Sequence, residues 1–340
     1  MQPEIYDLVT VTPDNPRSGE GDMALLRDGR LLFAYGHFTG QADDARACIV
    51  KRYSTDNGHT WTEPEVLIPA DEAKQNVMSV SLLRLQSGGI LLFYLRKDSR
   101  ERCQAWVRRS DDEGQTWGEA VCCTPDEEYH VIVNNCALQL EEGRILLPYE
   151  VCGRVWVQEE HIEAGIAYSD DEGLTWRHSN RMYTPKRGAM EARVIETRDH
   201  RLRMYARTDQ GEIYVAEVSD RGGAVGAFVS SGIESPQSPF AVTRIPDTGD
   251  WLLIWNPIAD LSAGSHQGSR TPLRCAVSSD DGKTWQHAKD LEPDTSRSYC
   301  YVSVTFTAQT AVLSYYVGSR ELSLEGLRIA RVPVGWFYED

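Results

Sequence analysis

Positive charge is scarce in this chain: 35 Lys and Arg stand against 51 Asp and Glu, for a net charge of −16 over 340 residues. That balance repels phosphate backbones and anionic lipid surfaces, so nucleic acid and membrane are excluded as expected partners. No apolar run approaches the length needed to span a bilayer. Met1-Gln2-Pro3-Glu4 has neither the basic nor the apolar region of a secretion signal, so a cytoplasmic location is expected. Paired cysteines are missing too. Cys48, Cys103, Cys122, Cys123, Cys136, Cys152, Cys275 and Cys300 show no CxxC spacing, and several sit in apolar segments as small hydrophobes would, which argues against a metal centre or a disulfide framework. No amphipathic helical stretch of useful length is found, and strands are left to build the fold.

What the chain has is repetition. The pattern Ser-x-Asp-x-Gly-x-Thr-Trp occurs four times, at Ser54 to Trp61, Ser110 to Trp117, Ser169 to Trp176 and Ser278 to Trp285. Asp56, Asp112 and Asp171 are 56 and 59 residues apart, and the next gap, to Asp280, is 109, about two units. An eroded fifth copy is expected at Ser219-Asp220-Arg221-Gly222-Gly223. In each copy the Asp can accept backbone N–H groups of a tight turn while Gly takes a positive φ, so the motif folds the chain and does no chemistry.

A second repeat runs beside the first. Six segments read as strand, short turn, strand: 23–35, 80–95, 137–149, 194–207, 240–255 and 302–316. Asp28-Gly29, Ser87-Gly88 and Glu142-Gly143 are strong hairpin signals. Six strand-rich units of this size predict an all-β fold, a six-bladed β-propeller of four-stranded antiparallel blades, with residues 1–340 as one domain. A homo-oligomer is left open. Nine residues before each hairpin turn stand Glu20, Ser79, Asn134, Glu191 and Tyr301, polar positions expected to ring one end of the central channel.

The repeated turn resembles the Asp-box of sialidases, and nearly the whole chain resembles the bacterial sialidase-like branch of that superfamily of six-bladed propellers. Matching segments include Gly19-Glu20-Gly21-Asp22, Asn76-Val77-Met78-Ser79, Arg207-Thr208-Asp209, Arg270-Thr271-Pro272-Leu273 and Tyr299-Cys300-Tyr301. The resemblance implies a retaining exo-glycosidase acting on a sialic acid or another acidic sugar, with a small glycan or glycoside as partner and no cofactor. It implies Tyr301 as nucleophile, with Tyr299 as the fallback two residues earlier, and Glu191 as the base. A carboxylate on the anomeric carbon would repel an Asp or Glu nucleophile, and a neutral phenol avoids that repulsion. Arg207 and Arg270 match two of the family's three carboxylate-binding arginines.

The third arginine is absent, because Glu20 stands where the family starts its first inner strand with arginine. Arg17 or Arg46 is the candidate to compensate. Otherwise Glu20 contacts sugar hydroxyls or serves as a second catalytic carboxyl. The family's general acid comes from the loop after the first hairpin, here Gly36 to Ala45, where Asp44 is slightly preferred over Asp43 and His37 is a further candidate. Asn76, His130, Asn134, Asn135, Trp255, Gln237 and Ser238 are candidate sugar contacts. Two other readings stay open: a propeller hydrolase or lyase rebuilt for a non-sialic glycan, using Glu20 and Glu191 with Asp44, and a glycan-binding propeller without catalysis.

Overall fold

The computed structural model describes residues 2–153, 161–258 and 270–339. They form six antiparallel sheets, five of which are hydrogen-bonded in chain order from the channel outward. Blade 1 consists of Arg17–Leu25, Leu31–Phe38, Ala47–Ser54 and Glu65–Ile68. Blade 2 runs from Asn76–Arg84 to Val121–Cys122, and blade 5 from Ala241–Arg244 to Gln286–Glu292. Blades 3 and 4 each carry a fifth short strand. Blade 6 takes Arg297–Phe306, Thr310–Ser319 and Gly326–Pro333 from one end of the chain and its outer strand, Glu4–Val9, from the other. Glu4 lies opposite Arg331 and Ile5 opposite Ala330.

Neighbouring blades cover both faces of each second strand. That is why Leu31–Phe38 and Ile90–Lys97 read as almost unbroken apolar runs and are buried along nearly their whole length. The box turns join third strand to fourth. In the second copy the Ser110 hydroxyl donates to Asp112 at 2.8 Å, and Asp112 accepts the Thr116 N–H at 2.8 Å and its hydroxyl at 2.5 Å. The Thr116 hydroxyl and N–H hold the Asp112 carboxyl down to about 2. The glycine then packs the turn onto the preceding blade. At Gly114, with φ +79°, a Cβ would stand 2.8 Å from Leu32 of blade 1.

The expected fifth copy behaves alike despite its lost residues. Arg221 and Gly222 have φ of 52° and 99°, and Gly222 lies against Leu146 of blade 3. Blade 6 has no box for a simple reason: its third and fourth strands come from opposite ends of the chain, so no turn joins them.

The inner strands share a second device. Glu20, Ser79, Glu191 and Tyr301 have φ of 52°, 56°, 43° and 57°, and at each the register with the second strand shifts. These are β-bulges that place a non-glycine residue in the left-handed region, a conformation that persists only where surrounding structure enforces it. In blade 3 the left-handed residue is Asn135, with φ 53°, one place after the Asn134 that counting selects.

Behind the bulges the channel is filled. Arg193 of blade 4 donates to the carbonyls of Phe240 at 2.6 Å, Asn135 at 2.6 Å and Asn134 at 2.9 Å, joining blades 3, 4 and 5. Asp22 of blade 1 accepts the Leu82 N–H of blade 2 and the Asn135 side-chain amide of blade 3.

Candidate functional site

A cavity of about 130 Å³ opens where the bulges converge, and its walls include Glu20, Ser79, Glu191 and Tyr301. The Tyr301 hydroxyl donates to Glu191 Oε1 at 2.6 Å, and Arg207 donates to Glu191 Oε2 at 2.5 Å. Arg207 reaches Glu191 because the bulge at residue 191 and the end of the second strand at residue 207 face each other across blade 4, while Tyr301 comes from the corresponding bulge of blade 6. Burial alone would push the Glu191 carboxyl up, but the Arg207 charge and the Tyr301 hydroxyl hold it below the usual carboxylate range. Burial and the Glu191 charge keep the Tyr301 phenol well above its ordinary value, so the resting pair is a neutral phenol and an ionised carboxylate. Arg270 lies alongside, its guanidinium 5.7 Å from the centre of the Tyr301 ring and donating to Cys300 Sγ at 3.1 Å.

Glu20 does not meet Arg207 or Arg270 in any hydrogen bond. Its carboxyl accepts Arg17 Nη2 at 2.7 Å and the Ser79 hydroxyl at 2.6 Å. Arg17, only 1% exposed, also donates to Asp43 at 2.6 Å and to the Tyr316 hydroxyl at 2.9 Å, with its guanidinium stacked on Phe38. The expectation that Arg17 replaces the missing arginine toward substrate is therefore corrected: its donors are taken up by Glu20, Asp43, Tyr316 and the Gln41 carbonyl. Arg46 is exposed.

The loop carboxylates separate. Asp43 lines the cavity, and Lys97 and Asn76 both donate to its backbone carbonyl, at 2.6 Å and 2.9 Å. Asp44 turns outward to the exposed Arg100 at 2.8 Å and is not part of the cavity lining, so it is placed away from any bond broken there. The preference for Asp44 is thus reversed. Asp43→Asn is expected to lower any hydrolytic kcat by about 10²–10⁴-fold, while Asp44→Asn stays within about twofold, as for an exposed ion pair; equal losses in the two variants would contradict this.

Several candidate sugar contacts are structural instead. Asn76 spends its amide on the Asp43 and Ala45 carbonyls. Asn134 ties the carbonyls of Gly21 and Tyr301 together across blades 1, 3 and 6. Asn135 serves Asp22, Trp255 donates to the Glu234 carbonyl, and Ser238 donates to Asn256. The Gln237 amide meets Met190 Sδ at 3.3 Å. His37, opposite Cys48 in the strand pairing, and His130, beside Asp126, lie outside the cavity lining. Tyr299 is no alternative nucleophile: its ring packs edge-on against Tyr315, because the bulge at residue 301 breaks the alternation that would put both tyrosines on one face.

Sequence reasoning missed Lys97, Arg187 and Glu150, all cavity-lining. Lys97 and Glu150 sit at or near the ends of second strands, positions that counting from inner-strand starts does not reach.

Six blades, the repeated box turns and a polar pocket at one end of the ring define a sialidase-like propeller. The chain belongs to the BNR repeat-like domain family, whose model matches residues 27–313. It is 25% identical to a sialidase of Micromonospora viridifaciens over 96% of this chain and 51% of that protein. A sialidase of Clostridium perfringens is 27% identical, over 58% of this chain and 57% of its own. The chain thus spans about half the length of the curated relatives it matches. Among solved structures, the fold is shared with a Dyadobacter fermentans protein of unknown function (TM-score 0.74, 18% identity, 96% of this chain and 99% of that one). It is shared also with the intramolecular trans-sialidase of Ruminococcus gnavus in complex with oseltamivir carboxylate (TM-score 0.75, 14% identity, 96% of each chain).

Proposed function

We propose that this protein is a retaining exo-glycosidase of sialidase type that removes a terminal acidic sugar. The observation that carries this reading is the relay from Tyr301 through Glu191 to Arg207, at 2.6 and 2.5 Å. In the first step the Tyr301 oxygen attacks the anomeric carbon as its proton passes to Glu191, and Asp43 protonates the departing glycosidic oxygen. In the second, Asp43 takes a proton from water, the water oxygen displaces Tyr301, and Glu191 returns the proton to the phenolate. Arg207 and Arg270 supply the positive field beside the nucleophile, where a substrate carboxylate is accommodated, with Lys97 and Arg187 on the cavity wall. Release of the aryl alcohol from an aryl sialoside tests the reading; inertness toward aryl sialosides and related acidic nonulosonic sugars would sink it.

Glu20 favours a second reading. A buried carboxyl occupies the place of a carboxylate-binding arginine, and Arg17 is committed to holding it. On that reading the site is rebuilt for a non-sialic glycan, with Glu20 receiving sugar hydroxyls. Glu20→Gln is then expected to abolish turnover of such a glycoside, and a fully active variant would count against it.

A further inference from the structure

The cavity holds a buried carboxyl that the two proposed steps leave unused. Glu150 lies in the second strand of blade 3, Ile145–Val151, is 6% exposed and lines the cavity beside Glu191. Its Oε2 accepts the backbone N–H of Glu191. That N–H can point at blade 3 because residue 191 sits in the left-handed bulge. No hydrogen bond or ion pair to Oε1 is found among the described residues, and the side chain lines the cavity. Oε1 therefore has capacity left for whatever enters the cavity.

We propose that Glu150 is a specificity residue whose neutral carboxyl donates a hydrogen bond from Oε1 to the carboxylate of the bound acidic sugar. The proposal rests on the sialidase-type reading above. The groups facing Glu150 come from three directions: Glu191 in the inner strand of blade 4, Arg207 and Arg187 on the same side, and Tyr129 beside the start of blade 3. Burial, then the Glu191 charge, pushes the Glu150 carboxyl up to about 8, and Arg207 and Arg187 offset only part of this. Near neutral pH Glu150 is thus an acid with a proton to give. Above about pH 8 both oxygens only accept, and the ionised group repels a carboxylate ligand. A neutral sugar would lose far less from that ionisation, so Glu150 discriminates by ligand charge as well as by geometry.

The test follows KM for an aryl sialoside from about pH 6 to 9.5. In the wild type KM is expected to stay level up to about pH 8 and then rise by up to tenfold per pH unit. In Glu150→Gln the amide remains a donor at every pH, so the alkaline rise should vanish. A wild-type KM that stays level to pH 9.5, or an equal rise in Glu150→Gln, would overturn the proposal. Difference infrared spectroscopy supplies a reading that needs no turnover: a protonated-carboxyl stretch in the wild type minus Glu150→Gln difference spectrum at pH 7 that fades above about pH 8, the contribution of Asp22 being common to both proteins. If aryl sialosides are inert the sialidase-type reading fails by itself, and absence of the infrared band at pH 7 overturns the neutral Glu150 whichever sugar the cavity takes.

Discussion

Replacing Glu191 by glutamine, or Tyr301 by phenylalanine, is expected to lower kcat for an aryl sialoside by about 10²–10⁴-fold, the range for removing a positioned proton acceptor or its partner. The geometry makes the two losses alike, since the phenol and the carboxylate share one hydrogen bond and one proton. Groups that act as a unit lose most of their effect with the first deletion, so the double variant should be little slower than either single one. KM should move much less than kcat, because neither change removes Arg207 or Arg270. Retention of more than a tenth of wild-type kcat by both variants would show that Tyr301 does not attack. Both substitutions leave the backbone bulges in place, so melting temperatures within a few degrees of wild type separate lost chemistry from lost structure.

The largest expected effect on stability lies deeper in the channel. Arg193→Met keeps an unbranched apolar stem of similar reach but removes the donors to Phe240, Asn135 and Asn134, whose carbonyls then stay buried without them. The loss is expected to be about 3–5 kcal/mol, typical of breaking a buried charged network by deleting one partner. Asp22 should respond as well. Burial already pushes its carboxyl up to about 7, and Arg193 is among the groups opposing that rise. Urea unfolding followed by tryptophan fluorescence measures the change, and a midpoint shift worth less than about 1 kcal/mol would mean that water or a neighbouring side chain takes over the donors.

Sequence and structure agree where one local pattern repeats. The box turns were readable because Ser, Asp, Gly and Thr all act within eight residues, and even the eroded copy at residues 219–223 retains the left-handed pair and the glycine contact. Glu20, Ser79, Glu191 and Tyr301 were readable because one bulge recurs at a constant distance from one hairpin. The count slipped to Asn134 in blade 3, where the inner strand is broken into His130–Val131 and Leu138–Gln139. What could not be read was how side chains from different blades settle opposite each other. Whether Arg17 faces substrate or faces Glu20 and Asp43 depends on three backbone segments meeting, and no spacing within one of them encodes it. The outward turn of Asp44 depends in the same way on Arg100 of the next blade.

The strand Glu4–Val9 has a consequence for how the molecule comes into being. It leaves the ribosome long before its hydrogen-bonding partner, Gly326–Pro333, which lies at the far end of the propeller sequence. At about 5–20 residues per second the early strand waits roughly 15–65 s before that partner exists. During the wait it presents unpaired backbone groups, which strands of other nascent chains can capture. Its charged Glu4 and Asp7, later matched by Arg331 and Arg328, place like charges on any two copies of this strand that meet. The same residues that pin the finished ring thus keep unfinished chains apart during synthesis.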